Sequence, residues 1–137
     1  MLFRSCHTRD HGRLPDPGCT PGAYYKGATR SVICRSGYSG SVRNVSETTK
    51  EAVYRAYGIS HHSRATYEMD HLVPLEAGGS NAKANLFPEA ASPKPGFHQK
   101  DRLENWAHDG ICAGTLPLRS TQRRIAQNWL TVYRAVF

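Results

Sequence analysis

The chain has 137 residues and a mass of 15.2 kDa with 39% hydrophobic residues, which is typical of one compact globular domain and excludes fibrous and disordered proteins. No apolar run approaches the roughly 18 residues that a membrane-spanning helix needs, and the N-terminal segment lacks the apolar core of a secretory signal. Eighteen Lys and Arg against eleven Asp and Glu give a formal charge of +7, which favours an acidic partner.

The N-terminal half is rich in residues that break regular structure. Residues 1–23 contain Gly and Pro throughout their second half, and we predict an irregular arm that wraps the rest of the domain. The segment 31–45 has β-branched residues interrupted by Gly37 and Gly40, which predicts short strands around a turn. Ser46 is a good N-cap and Gly58 a good C-terminal stop, so a helix is expected over about 47–57.

The C-terminal half alternates strand and helix signals. Apolar and polar residues alternate over 67–73, which predicts a strand ended by Pro74, and a second short strand is expected over 85–88. Helical periodicity predicts a helix over about 97–109, ended by Gly110, and a last helix over about 120–135, capped by Ser120. The predicted fold class is therefore α+β.

Four cysteines are spread along the chain at Cys6, Cys19, Cys34 and Cys112. The absence of a C-x-x-C pair argues against a zinc ribbon. Two disulfides are possible in three connectivities, and a Cys19 to Cys34 bond would close a short loop around residues 24–25. Disulfides favour an extracytoplasmic or secreted location, whereas four buried thiols are the alternative.

The chemistry-bearing residues are concentrated between positions 67 and 102. Asp70 and His71 follow one another in the first predicted strand, residues 78–81 read GGSN, and Asn85 lies just before Leu86 in the second strand. The predicted helix at 97–109 carries His98, Lys100 and Arg102 in its first turns.

This spacing resembles the HNH, or ββα-metal, endonuclease motif, also called the His-Me finger. The resemblance is strongest over residues 67–108 and weaker over 15–134. The segments PDPGCTPGA at 15–23 and YEMDHLVPLE at 67–76 are also similar to stretches of small bacterial HNH-like proteins. The resemblance implies a single nuclease domain over 1–137 with a ββα-metal core at 67–109.

The resemblance assigns a role to each residue. His71 would be the general base that activates water, which suits an imidazole that titrates near neutral pH. Asp70 and His98 would hold one divalent cation, Mg²⁺, Mn²⁺ or Zn²⁺, that stabilises the phosphate and the leaving oxygen. Asn85 would orient the His71 ring.

The implied function is that of a metal-dependent endonuclease that hydrolyses DNA, with RNA not distinguished. Lys100 and Arg102 would contact the substrate phosphates. Residues 1–66 carry ten Lys and Arg against four Asp and Glu, so the first half would supply sequence-tolerant backbone contacts. The alternatives are an HNH-fold module that binds nucleic acid without cleaving it, and a secreted domain with a structural metal.

Overall fold

The computed structural model describes residues 5–137, which form five α-helices and one two-stranded antiparallel sheet. This is an α+β fold, as expected. None of the helices within these residues combines the length and the apolar character that crossing a membrane requires. The helices are α1 (Arg30–Ile33), α2 (Tyr38–Val42), α3 (Glu47–Ala56), α4 (Phe97–Ala113) and α5 (Leu118–Val136), and the strands are β1 (Tyr67–His71) and β2 (Leu86–Ala90).

Both predicted strands are present and pair with each other. His71 lies opposite Leu86, Asp70 opposite Phe87, and Glu68 opposite Glu89. Because side chains alternate along a strand, Glu68 and Asp70 share one face of β1 while His71 belongs to the other. Two 3-10 turns, Leu75–Ala77 and Lys83–Asn85, fill the connection between the strands.

The main core lies where α4 and α5 pack against the sheet. Its fully buried side chains are Phe87, Leu103, Ala107, Ile125 and Trp129, with Leu72 and Leu130 at their edge. The indole Nε1 of Trp129 donates to the Arg13 carbonyl at 2.7 Å, which fixes the N-terminal arm to this core. Helix α5 is broken at Asn128 (φ −166°, ψ 94°), whose side-chain oxygen accepts from the Thr131 N–H at 3.1 Å and caps the second segment.

The prediction of strands within 31–45 was wrong, because this stretch forms α1 and α2. The side chain of Ile33 is completely buried against Ala28, Ala77 and Ile111, and this tertiary packing outweighs the strand preference of β-branched residues. Gly37 separates the two helices at φ +77°, a conformation that favours glycine.

Two helix boundaries also differ from the predictions. Helix α4 continues through Gly110 to Ala113 and ends at Gly114, which has φ +81°. A Cβ on Gly110 would lie 2.3 Å from a Leu116 methyl carbon, so the glycine allows the next segment to fold back closely. Helix α5 begins at Leu118 after Pro117, two residues before the predicted cap at Ser120.

The structure has two disulfides, Cys6–Cys19 and Cys34–Cys112. A Cys19 to Cys34 bond was therefore the wrong pairing. The first disulfide closes the arm, which over residues 5–23 is irregular apart from a bridge between Arg9 and Leu14; residues 1–4 of the predicted arm lie outside the described residues. The second joins α1 to α4. Two disulfides fit an extracytoplasmic location.

Candidate active site

An open cleft of about 730 Å³ lies between the segment 43–45 that follows α2, helix α3, the loop at 62–64 and strand β1. Its lining residues include His71 and Glu68. Three cationic residues, Arg43, Lys50 and Arg64, and two further acidic residues, Glu47 and Glu51, also line it, and Lys50 pairs with Glu47 at 3.4 Å. The cleft thus combines His71 with side chains of both charges, among which Arg43 and Arg64 form no ion pair within the described residues.

The His71 ring is held by Asn81. Its Nε2 lies 2.9 Å from Asn81 Oδ1, and Asn81 Nδ2 donates to the Val42 carbonyl at 2.6 Å and to the Tyr25 hydroxyl at 3.0 Å. A carbonyl oxygen can only accept a hydrogen bond, so the amide group that faces Val42 must be the NH₂. The oxygen of Asn81 therefore faces His71, and His71 Nε2 carries the ring proton.

This arrangement leaves Nδ1 of His71 with a lone pair. No side chain or backbone group of residues 5–137 forms a hydrogen bond with that nitrogen. Burial lowers the pKa of His71 below its ordinary value, and the positive charges of Arg43 and Lys100 lower it further. The imidazole is neutral at pH 7 and can accept a proton at Nδ1.

Asn85 does not touch His71, contrary to the predicted role. Its Nδ2 donates to the carbonyls of Val73 (3.0 Å) and Ser80 (2.8 Å), and its Oδ1 accepts from the N–H groups of Val73 (2.8 Å) and Ala23 (3.2 Å). These four bonds use the full capacity of the amide and tie the connection between β1 and β2 together. Asn85 is a structural residue here, and Asn81, seen in the sequence only as part of a turn, is the one that orients His71.

Lys100 is completely buried on the face of β1 opposite His71. Its ammonium lies 2.9 Å from Asp70 Oδ2 and 2.8 Å from Glu104 Oε2, and it donates to the His71 carbonyl at 2.9 Å. These carboxylates and that of Glu89 raise the pKa of Lys100, although desolvation opposes them. The lysine is therefore the internal counter-ion of an acidic cluster and a direct support of the His71 backbone.

The cluster holds more carboxylates than Lys100 can neutralise. Burial raises the pKa of Asp70 to about 7 against the attraction of Lys100. Glu89 is also fully buried, and neither of its carboxylate oxygens has a hydrogen-bond partner. Burial, together with the neighbouring Asp70, raises the pKa of Glu89 well above its usual value, which favours its protonated form.

The predicted metal pair, Asp70 and His98, does not fit an ion in this arrangement. The ammonium of Lys100 already occupies the Asp70 carboxylate, and a dication beside it would meet a buried positive charge. His98 is exposed at the start of α4, with its ring centroid 4.3 Å from that of Phe97. Among residues 5–137 no hydrogen bond or ion pair joins Asp70 to His98, and no three metal-ligating side chains form a cluster.

The predicted contacts of Lys100 and Arg102 with substrate phosphates also differ from the structure. Lys100 has no exposed surface, and its ammonium is engaged by the His71 carbonyl and by the carboxylates of Glu104 and Asp70, so it cannot contact a substrate. Arg102 is exposed, but its guanidinium stacks 4.2 Å from the Phe137 ring centroid. Arg43, whose charge acts on His71, is exposed and forms no ion pair with any carboxylate of the described chain. In the sequence, only the basic character of the first half of the chain pointed to Arg43.

We expect removal of metal ions to leave the thermal stability unchanged. Lys100 already supplies the positive charge that Asp70 and Glu104 require, so no ion is needed to hold α4 against β1. The melting temperature, followed by circular dichroism, should agree within 1 °C (about the scale of a few tenths of a kcal/mol) with and without excess EDTA. A drop of several degrees would show that the fold depends on a structural metal.

Comparison with protein-family models, with characterised proteins and with solved structures finds no match to this chain.

Proposed function

We propose that the protein is an endonuclease that hydrolyses phosphodiester bonds of nucleic acid, with DNA as the expected substrate and His71 as the general base. The observation that carries the proposal is the free Nδ1 of a neutral imidazole in a cleft with cationic side chains. The chain order β1, β2, α4 is also that of the ββα unit that the sequence motif implies.

The residues of the cleft support a simple hydrolytic sequence. Nδ1 of His71 accepts a proton from water, and the water oxygen forms a bond to phosphorus. The bond from phosphorus to the 3′ oxygen breaks, and the departing alkoxide takes a proton from solvent, which leaves a 5′-phosphate. Arg43 lines the same cleft and acts electrostatically on His71, and its guanidinium neutralises the charge that builds on the phosphate oxygens.

Plasmid nicking tests this function. Supercoiled plasmid and circular single-stranded DNA are each incubated with the wild-type protein in Mg²⁺, Mn²⁺, Zn²⁺ or EDTA, because the described residues do not themselves define an ion site. His71→Ala, purified in parallel, reports any contaminating nuclease. Conversion to open-circular or linear DNA by the wild type alone supports the proposal. DNA binding without cleavage in every buffer would instead indicate a non-catalytic binding module.

Arg43→Gln should weaken DNA binding and its salt dependence. Loss of one phosphate contact lowers the slope of log K against log salt by about 1 in duplex DNA, across all sequences. Fluorescence anisotropy titrations at several NaCl concentrations measure both quantities. Arg35→Gln, which removes an exposed arginine outside the cleft wall, is the matched control and should keep the wild-type slope. Equal salt-dependence slopes for the wild type and both variants would show that Arg43 does not contact the nucleic acid.

A further inference from the structure

Tyr25 presents its ring to solvent while its hydroxyl is held beside His71. The side chain is among the few large apolar groups with substantial exposure in residues 5–137, at 38%. Its oxygen accepts from Asn81 Nδ2 at 3.0 Å and from the Asn81 backbone N–H at 3.3 Å. The hydroxyl is therefore two hydrogen bonds from the His71 imidazole, through the Asn81 side chain.

The backbone that carries Tyr25 is fixed against the connection between the strands. Tyr25 N–H donates to the Gly78 carbonyl at 3.0 Å, Ser80 N–H donates to the Ala23 carbonyl at 3.0 Å, and residue 24 forms a β-bridge with Gly79. A Cβ on Gly79 would lie 1.8 Å from the Val73 carbonyl oxygen, so only glycine permits this close packing. The Tyr25 ring is thus positioned before any ligand arrives, which reduces the entropy lost on binding.

Asn81 also links Tyr25 to the segment that carries Arg43. The Val42 carbonyl, one residue before Arg43, accepts from the same Asn81 Nδ2 that donates to Tyr25. Tyr25 is therefore linked through Asn81 both to the His71 imidazole and to the backbone just before the cationic Arg43. A nucleotide offers the matching groups, since its base stacks on aromatic rings and its phosphate is anionic.

We propose that Tyr25 is a substrate-positioning residue whose ring stacks an unpaired nucleobase next to the phosphate at His71, so that the substrate is single-stranded nucleic acid. Base pairs in a duplex are stacked on both faces, and only an unpaired or extruded base exposes a face to a side chain. The claim that the bound nucleic acid is cleaved at His71 rests on the proposed function, whereas the claim that a base stacks on Tyr25 does not.

Two substitutions distinguish the contribution of the Tyr25 ring from that of its hydroxyl. Tyr25→Leu removes the aromatic face, and Tyr25→Phe keeps it but removes the acceptor for Asn81. Binding is measured by anisotropy in EDTA with labelled oligo-dT and oligo-U. We expect Tyr25→Leu to weaken binding of both strands roughly 5- to 150-fold, as loss of one base stack does. Tyr25→Phe should bind within about twofold of the wild type.

Three controls make the test specific. Tyr24→Leu removes the neighbouring exposed ring, which Arg119 already covers at 4.0 Å, and should bind as the wild type does. A strand with abasic sites should bind the wild type and Tyr25→Leu equally. Melting curves check that each variant is folded.

Each outcome bears on one claim. Unchanged single-strand binding by folded Tyr25→Leu, equal losses in Tyr25→Leu and Tyr25→Phe, or no binding by the wild type would overturn the stacking role. If Tyr25→Leu weakens binding but the wild type cleaves no nucleic acid, only the proposed endonuclease activity is overturned.

Discussion

Replacement of His71 by alanine should lower the rate of DNA cleavage by roughly two to four orders of magnitude, which is the typical contribution of a general base. The imidazole supplies the acceptor Nδ1 in the cleft, and alanine leaves the attacking water without one. Single-turnover cleavage of a labelled oligonucleotide measures the loss. DNA affinity should change little, because the neutral ring carries no charge toward the phosphates.

The control for this variant is His61→Ala, which removes an exposed imidazole outside the cleft wall and should cleave at the wild-type rate. Cleavage by His71→Ala within threefold of the wild type would refute the assignment of the base. A parallel loss of cleavage and of thermal stability would instead indicate a folding defect, which the melting curve detects.

The pH dependence of cleavage follows from the state of His71. Only the neutral imidazole accepts a proton, and burial lowers its pKa below the ordinary value of 6.5. The acidic limb of the activity profile should therefore be centred below pH 6.5, with activity falling as the pH drops through the lowered pKa. The pH profile of kcat/KM measures this. An acidic limb centred above 6.5 would contradict the environment described for His71.

Replacement of Lys100 by methionine should destabilise the fold by about 3–5 kcal/mol, as expected when one partner of a buried ionic cluster is removed. Methionine fills much of the volume but leaves Asp70 and Glu104 without a counter-ion beside the unpartnered Glu89. The His71 carbonyl also loses its donor. Urea unfolding followed by circular dichroism measures the free energy of unfolding.

The matched control is Lys83→Met, which changes an exposed lysine and should alter the free energy of unfolding by less than about 0.5 kcal/mol. The double variant Lys100→Met with Asp70→Asn removes a charge of each sign and should recover part of the lost stability. If Lys100→Met alone is as stable as the wild type, the buried ion pairs do not hold α4 against β1.

Local sequence signals located most of the secondary structure. The alternation before Pro74 predicted β1, and the N-cap at Ser46 predicted α3, where the Ser46 hydroxyl does accept from the Thr49 N–H at 3.1 Å. These features depend on neighbours within a few residues along the chain. The strand prediction near Ile33 failed because the burial of that side chain depends on helix α4, which lies more than sixty positions later.

The candidate site was only partly readable from the sequence. The motif predicted that His71 belongs to a site, and His71 is one of the residues that line the cleft. It did not indicate that Lys100 points into the interior or that Asn81 rather than Asn85 reaches the imidazole. A residue type and a spacing specify which groups are present, but the direction of each side chain depends on the packing around it.

The sequence by itself determined the α+β class, the order of strand, strand and helix, and the basic character of the first half, because periodicity, caps and charge are local or summed properties. The tertiary structure decided the disulfide pairing, the partners of Lys100 and the ring nitrogen that His71 leaves free. Each of these depends on contacts between segments distant in sequence, such as Cys34 with Cys112 and Lys100 with Asp70. Buried charges and hydrogen bonds gain or lose their energy according to those contacts, and the packing of α4 on β1 establishes them.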